Sequence, residues 1–70
     1  MNWTPNNIFS YRWASNLVDR TGRKIELGTD WRGRWEIRYL EDGAWRMVDI
    51  FNDVLAACAW LNGSGVEVAA

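Results

Sequence analysis

An Asp42-Gly43 pair stands between two alternating runs. Arg34-Trp35-Glu36-Ile37-Arg38-Tyr39-Leu40 precede it, and Ala44-Trp45-Arg46-Met47-Val48-Asp49-Ile50 follow. Asp-Gly between runs that alternate apolar and polar is the strongest short-range signal for a β-hairpin, because a type I′ turn needs positive φ at both central residues. With Asp42-Gly43 as the loop, Glu41 pairs with Ala44, Tyr39 with Arg46, Ile37 with Val48 and Trp35 with Ile50. One face then collects Trp35, Ile37, Tyr39, Val48 and Ile50, the predicted core side. The other carries Arg34, Glu36, Arg38, Leu40, Trp45, Met47 and Asp49, with Leu40 opposite Trp45 and Arg38 opposite Met47. A slip of one residue would turn Arg34, Glu36 and Arg38 into the core, so this register is the expected one.

A second hairpin is predicted upstream, from Ala14–Asp19 and Lys24–Leu27 around Arg20-Thr21-Gly22-Arg23. It pairs Asp19 with Lys24, Val18 with Ile25 and Leu17 with Glu26, and places Ala14, Val18, Ile25 and Leu27 on one face. Two readings remain open before it. Thr4-Pro5 could start a helix, with Phe9, Trp13 and Leu17 at four-residue spacing; the preferred reading is strand from about Phe9, because a helix would have to stop abruptly before the turn. Downstream, Val54-Leu55-Ala56-Ala57-Cys58-Ala59-Trp60-Leu61 holds no charge and reads as a helix. Asn52 is its expected cap, Asp53 suits its first turn, and Gly63 follows its C-cap. The stripe of Val54, Ala57, Cys58 and Leu61 should face the sheet. Leu55 and Trp60 lie off that stripe and must be covered by the N-terminal segment with Trp3 or by a second molecule. Val66-Glu67-Val68 could add an edge strand or fray. No linker, low-complexity stretch or internal repeat is read along the chain.

These elements fit one α+β domain spanning residues 1–70: an antiparallel sheet of about four strands in two hairpins, with one C-terminal helix packed on it. Seventy residues bury little surface, which makes the six tryptophans (Trp3, Trp13, Trp31, Trp35, Trp45 and Trp60) the main resource for a core. About four are expected inside and about two at the surface, where Trp and Arg dominate binding contacts.

The inventory for catalysis is poor. There is no histidine, and the one cysteine, Cys58, falls mid-helix on the inward stripe, where a thiol is inert. Glu36 and Asp49 would face each other across the strands, but beside Arg34 and Arg38 they read as a solvated charge lattice. No enzyme activity, cofactor or metal site is expected. With no apolar run of membrane-spanning length and no basic-then-apolar leader, the expected location is the cytoplasm, without membrane association. The net charge is −1. All eight basic residues lie between Arg12 and Arg46 with six acids, leaving +2 there, and the stretch from Met47 onward has three acids and no base. Seven of the eight are arginine, and Trp31-Arg32-Gly33-Arg34-Trp35 interleaves them with indoles. Without a net positive field this favours a protein partner over nucleic acid.

Two resemblances accompany this reading. Gly33-Arg34-Trp35-Glu36-Ile37-Arg38, Gly43-Ala44-Trp45, Phe51, Ala56, Ala59 and Asn62-Gly63 resemble the plant ethylene-response-type DNA-binding domain, over about half the chain. That resemblance implies a three-stranded sheet on one helix, with Arg34, Arg38, Trp45 and Arg46 as DNA contacts. Glu36, Met47 and Asp49 depart from it. The size, the slight acidity and the hairpin-then-helix order are similar to small phage-encoded inhibitors of bacterial defence, the anti-CRISPR type, which implies a non-enzymatic protein that occupies a surface of a host complex. The expected partner-binding face is Arg34, Arg38, Leu40, Trp45 and Met47, with Trp31 and Arg32 at its rim. Leu55 and Trp60 are the expected contacts of a homodimer, and a small homodimeric structural or adaptor protein is a further alternative.

Overall fold

The computed structural model describes residues 1–69. Its centre is the expected hairpin, β3 (Trp35–Glu41) and β4 (Ala44–Phe51). Asp42 and Gly43 have φ of 52° and 79°, the left-handed pair a two-residue type I′ loop requires. Glu41↔Ala44, Leu40↔Trp45, Tyr39↔Arg46 and Arg38↔Met47 pair as predicted. Beyond Met47 the register shifts. Val48 is an extra residue, a β-bulge, so that Ile37 faces Asp49, Glu36 faces Ile50 and Trp35 faces Phe51. The expected pairs Ile37 with Val48 and Trp35 with Ile50 are therefore corrected, and Glu36 does not oppose Asp49. The bulge reverses which side the end of β4 presents. Phe51 packs against the core beside Trp35, and Ile50, expected inside, is exposed. An unbroken strand would have turned the larger ring outward.

The strand β2 (Lys24–Thr29) joins β3, and the two-residue β1 (Leu17–Val18) joins β2. Here the expectation was off by one residue: Val18 pairs with Lys24 and Leu17 with Ile25, so Leu17 is buried and Val18 only half-buried. The cause is Asp19, which belongs to the turn. Its Oδ1 accepts from the Thr21 N–H (2.9 Å), the Thr21 hydroxyl (2.6 Å) and the Arg23 N–H (3.0 Å), and its Oδ2 accepts from Arg23 Nε at 3.2 Å. The expected Asp19–Lys24 pair is thus replaced by Asp19–Arg23, whose guanidinium also lies 4.3 Å from the Tyr39 ring centre. The turn from β2 to β3 repeats this arrangement. Asp30 Oδ1 accepts from the Arg32 and Arg34 N–H groups, both at 2.9 Å, and Oδ2 from Arg34 Nε at 2.7 Å. In each turn the glycine, Gly22 or Gly33, has positive φ, and its N–H donates to the carbonyl of the aspartate. The chain therefore does carry an internal repeat: Asp-x-x-Gly-Arg at 19–23 and again at 30–34, eleven residues on.

After β4 the chain crosses one face of the sheet as α1 (Val54–Gly63) and returns as β5 (Glu67–Val68) beside β1, giving the order β4-β3-β2-β1-β5. The fold is α+β with five antiparallel strands. Asp53, not Asn52, caps α1, accepting from the Leu55 N–H at 3.1 Å. Gly63 lies inside the helix, and the left-handed residue closing it is Gly65. Arg20 from the first turn donates to the Gly63 carbonyl, placing a cation at the negative end of the helix dipole. Ala57, Cys58 and Leu61 are buried as predicted, with Val54 packed beside them against Leu17, Ile25, Leu27, Trp35 and Ile37.

The N-terminal segment is not a strand from Phe9. The Thr4 carbonyl accepts from the Asn7 and Ile8 N–H groups, and a short 3₁₀ turn follows at Ile8–Tyr11. The alternative helix thus starts at the right place and runs only about one turn. Trp3 explains the path. Its ring is buried, edge-on to Tyr11, with Nε1 donating to the Val66 carbonyl at 2.8 Å, and its backbone exchanges hydrogen bonds with the Asn62 side chain. Two tryptophans, Trp3 and Trp35, are fully buried, and Trp60 packs at the edge of the core. Trp13, Trp31 and Trp45 are exposed, so the core holds fewer rings than the expected four.

Candidate binding face

The sheet has α1 on one side only, and antiparallel pairing fixes what the other side presents, since directly opposed residues share a face. Three rows cross it: Leu40–Trp45, then Glu26–Arg38–Met47, then Gly28–Glu36–Ile50. At its centre Arg38 pairs with Glu26, Nη1 to Oε1 at 3.3 Å, and with Glu36. Around this charge cluster stand Trp45 and Met47, 40% and 45% exposed, and Ile50. Trp13 completes the face from outside the sheet. Its φ of 71° is in the left-handed region, uncommon for a large side chain, and its indole lies over Gly28, where an added Cβ would stand 3.2 Å from two ring atoms. Two-thirds of Trp13 remains in solvent (67%).

Of the expected site residues, Arg38, Leu40, Trp45 and Met47 are brought together as predicted. Arg34, Trp31 and Arg32 are not part of that cluster. Arg34 is held by Asp30 within the turn. Trp31, 85% exposed, carries the Arg32 guanidinium 4.6 Å from its ring centre at the tip of the same turn. Arg34, just before β3, stands six positions from Leu40, about 20 Å at strand spacing, so this tip is a separate feature at the far end. Arg46 opposes Tyr39 on the helix side and pairs with Glu41 at 3.3 Å. The expected dimer contacts also part company. Leu55 is 60% exposed while Trp60 turns against the core, and five residues apart on a helix they point about 140° from each other.

Sequence reasoning missed Trp13 and Ile50. The four-residue spacing of Phe9, Trp13 and Leu17 points to a helix and not to this seat; the signal that locates Trp13 is Gly28, a glycine interrupting an otherwise regular strand pattern, which often marks a close approach. Gly28→Ala is expected to shift the Trp13 ring by a few tenths of an ångström, which its exposure allows, at a cost below about 1 kcal/mol and with a change in indole fluorescence that a Trp13→Ala background abolishes.

The face has no nucleophile–base pair. Burial and the nearby Asp53 carboxylate raise the Cys58 thiol above its ordinary value, which keeps it protonated and inert. Among the described residues no group of three or more His, Cys, Asp or Glu side chains could hold a metal ion, and no helix is long and apolar enough to cross a membrane. A shallow groove of about 450 Å³ lies beside β1, lined by Ser15, Asn16, Val18 and Lys24 among others. Comparison with protein-family models, with curated proteins and with solved structures yields no match.

Proposed function

We propose that this protein is a non-catalytic protein-binding module that uses the helix-free face of its sheet to occupy a surface of a larger complex. That is the mode of action of small phage-encoded inhibitors of host defence. The observation that carries the reading is the composition of the face: Trp13, Leu40, Trp45, Met47 and Ile50 surround a single arginine whose charge is already met by two carboxylates. Rigid indoles and an adaptable thioether are the side chains that supply contact energy at protein interfaces. Phosphate binding asks for the opposite, unpaired cations. Arg34, Arg38 and Arg46, three of the residues a DNA-binding sheet would use, are each paired with an acid.

The test is a photo-crosslinking amino acid placed at position 47, with position 55 on the helix side as control, in lysate of the cells that carry the gene and of their host. A discrete adduct with a protein other than a second copy of this chain, from position 47 alone, is the expected result. Trp45→Ala should weaken capture of that partner about 30-fold, as loss of a central aromatic anchor worth about 2 kcal/mol does. Adducts from position 55 alone, or retention on DNA that falls steeply with salt, would overturn the reading.

A further inference from the structure

The sheet has two unlike edges. β5, at one end, is two residues long; β4, at the other, is eight, and among the described residues no strand lies beyond it. In an antiparallel ladder alternate residues turn their backbone groups toward the neighbouring strand and the others turn them away. With the loop closed at Glu41–Ala44, Trp45 and Met47 are the residues turned away from β3. Past the bulge the same holds for Ile50, whose N–H donates to the carboxylate of its own neighbour, Asp49, at 2.8 Å.

The bulge also changes which residues of β4 share a side. Trp45 and Ile50, five apart, both lie on the helix-free face, opposite Leu40 and Glu36. Arg46 and Asp49, three apart, both lie on the helix side, opposite Tyr39 and Ile37. Ala44 and Phe51 share that side too, opposite Glu41 and Trp35. In an unbroken strand each of these pairs would be split between the two sides. A two-fold axis normal to the sheet, midway between Met47 and Val48, brings together residues that share a side on either flank of the bulge, while Met47 and Val48, which meet at the axis itself, point to opposite sides. Trp45 then meets Ile50, Arg46 meets Asp49, and Ala44 meets Phe51, each contact occurring twice.

We propose that a second copy of this chain adds to β4 in this antiparallel register, joining two sheets into one of ten strands. The strand is complementary to itself in charge, in bulk and in backbone direction, which is what singles out a second copy over a foreign peptide. On pairing, the Ile50 N–H passes from Asp49 to the Trp45 carbonyl of the second copy, and the Asp49 carboxylate is released to Arg46 of that copy, whose guanidinium then lies between this carboxylate and its own exposed Glu41. A bulge ordinarily deters edge pairing; on the axis it meets its own equivalent and sets the matching parity. The inference goes beyond the binding face and does not depend on it: a monomer would still crosslink through position 47.

Light scattering and sedimentation of the full chain from about 1 μM to about 1 mM read the outcome directly, with circular dichroism to confirm that each variant is folded. A dimer is expected. Arg46→Asp and Asp49→Arg should each weaken it at least tenfold by setting like charges against each other at two symmetric places, and the double exchange should restore it to within a few-fold. Amide exchange at Trp45 should slow as the wild-type concentration rises. A monomer throughout overturns the proposal. So does a dimer indifferent to both reversals, one that the double exchange does not restore, or one abolished by Leu55→Asp in their place.

Discussion

Trp3→Ala is expected to unfold most of the protein at room temperature. The ring is fully buried, fills the space between the end of α1 and the 3₁₀ turn, and donates to the Val66 carbonyl. Truncating a buried tryptophan costs about 3–5 kcal/mol, and a core in a domain this small supplies about the same. The lost donor adds an unmet acceptor next to β5 and loosens the Asn62 clasp that fastens the N-terminal segment. Urea unfolding followed by far-ultraviolet circular dichroism measures the effect. Trp31→Ala, which removes an equally large ring from open solvent, should change stability by less than about 0.5 kcal/mol. Equal losses from the two variants would show that the core has been misplaced.

Asp19→Ala should be the most damaging polar substitution, at about 2–3 kcal/mol, because it removes the acceptor of two backbone N–H groups, a hydroxyl and a guanidinium in a buried turn. Asp30→Ala should cost less, the equivalent turn having one bond fewer to its carboxylate. The same two carboxylates contribute to the acid sensitivity of the fold. Burial pushes the Asp19 carboxyl up, but the Thr21 hydroxyl, the Arg23 and Thr21 N–H groups and the Arg23 side chain outweigh it and leave the carboxyl below its ordinary value. Asp30 is likewise lowered, burial being outweighed by the Arg34 N–H and guanidinium and the Arg32 N–H. A group whose folded pKa lies below its unfolded one binds fewer protons when folded. Its contribution is complete above the unfolded value of about 3.9 and disappears as pH falls through the folded value. Stability should therefore be flat near neutrality and drop below about pH 4, and Asp19→Asn should be less stable at pH 7 with a shallower acid decline. An unchanged acid limb in Asp19→Asn would remove the turn from this account.

Much of this architecture is legible in local chemistry. The Asp42-Gly43 loop fixes its own φ values and, through them, four consecutive cross-strand pairs, which is why Leu40 with Trp45 and Arg38 with Met47 were readable in advance. The uncharged run ending in Leu61 gave the helix and its inward stripe. The structure departs from that reading where a side chain closes a turn on itself, and where a residue's role depends on something remote. Asp19 looked like a strand residue because its alternative, a turn closed by its own side chain, shows only when Thr21 and Arg23 fold back onto it. The Asp-x-x-Gly-Arg repeat was present in the letters but means little until the hydrogen bonds are seen to repeat as well.

The chain alone settles the hairpin tip, the helix and the supply of arginine and indole for one outward face, because each follows from contacts a few residues apart. Three things were decided by the folded whole: the bulge at Val48 that trades Ile50 for Phe51, the seating of Trp13 on Gly28, and the pairing of Arg38 with two acids. The first depends on the sheet closing against the helix, and the other two on which strand and which segment come to lie beside β3 on its free face. A bulged strand and a straight one differ locally by little, so the choice falls to whichever places the larger ring against Trp35.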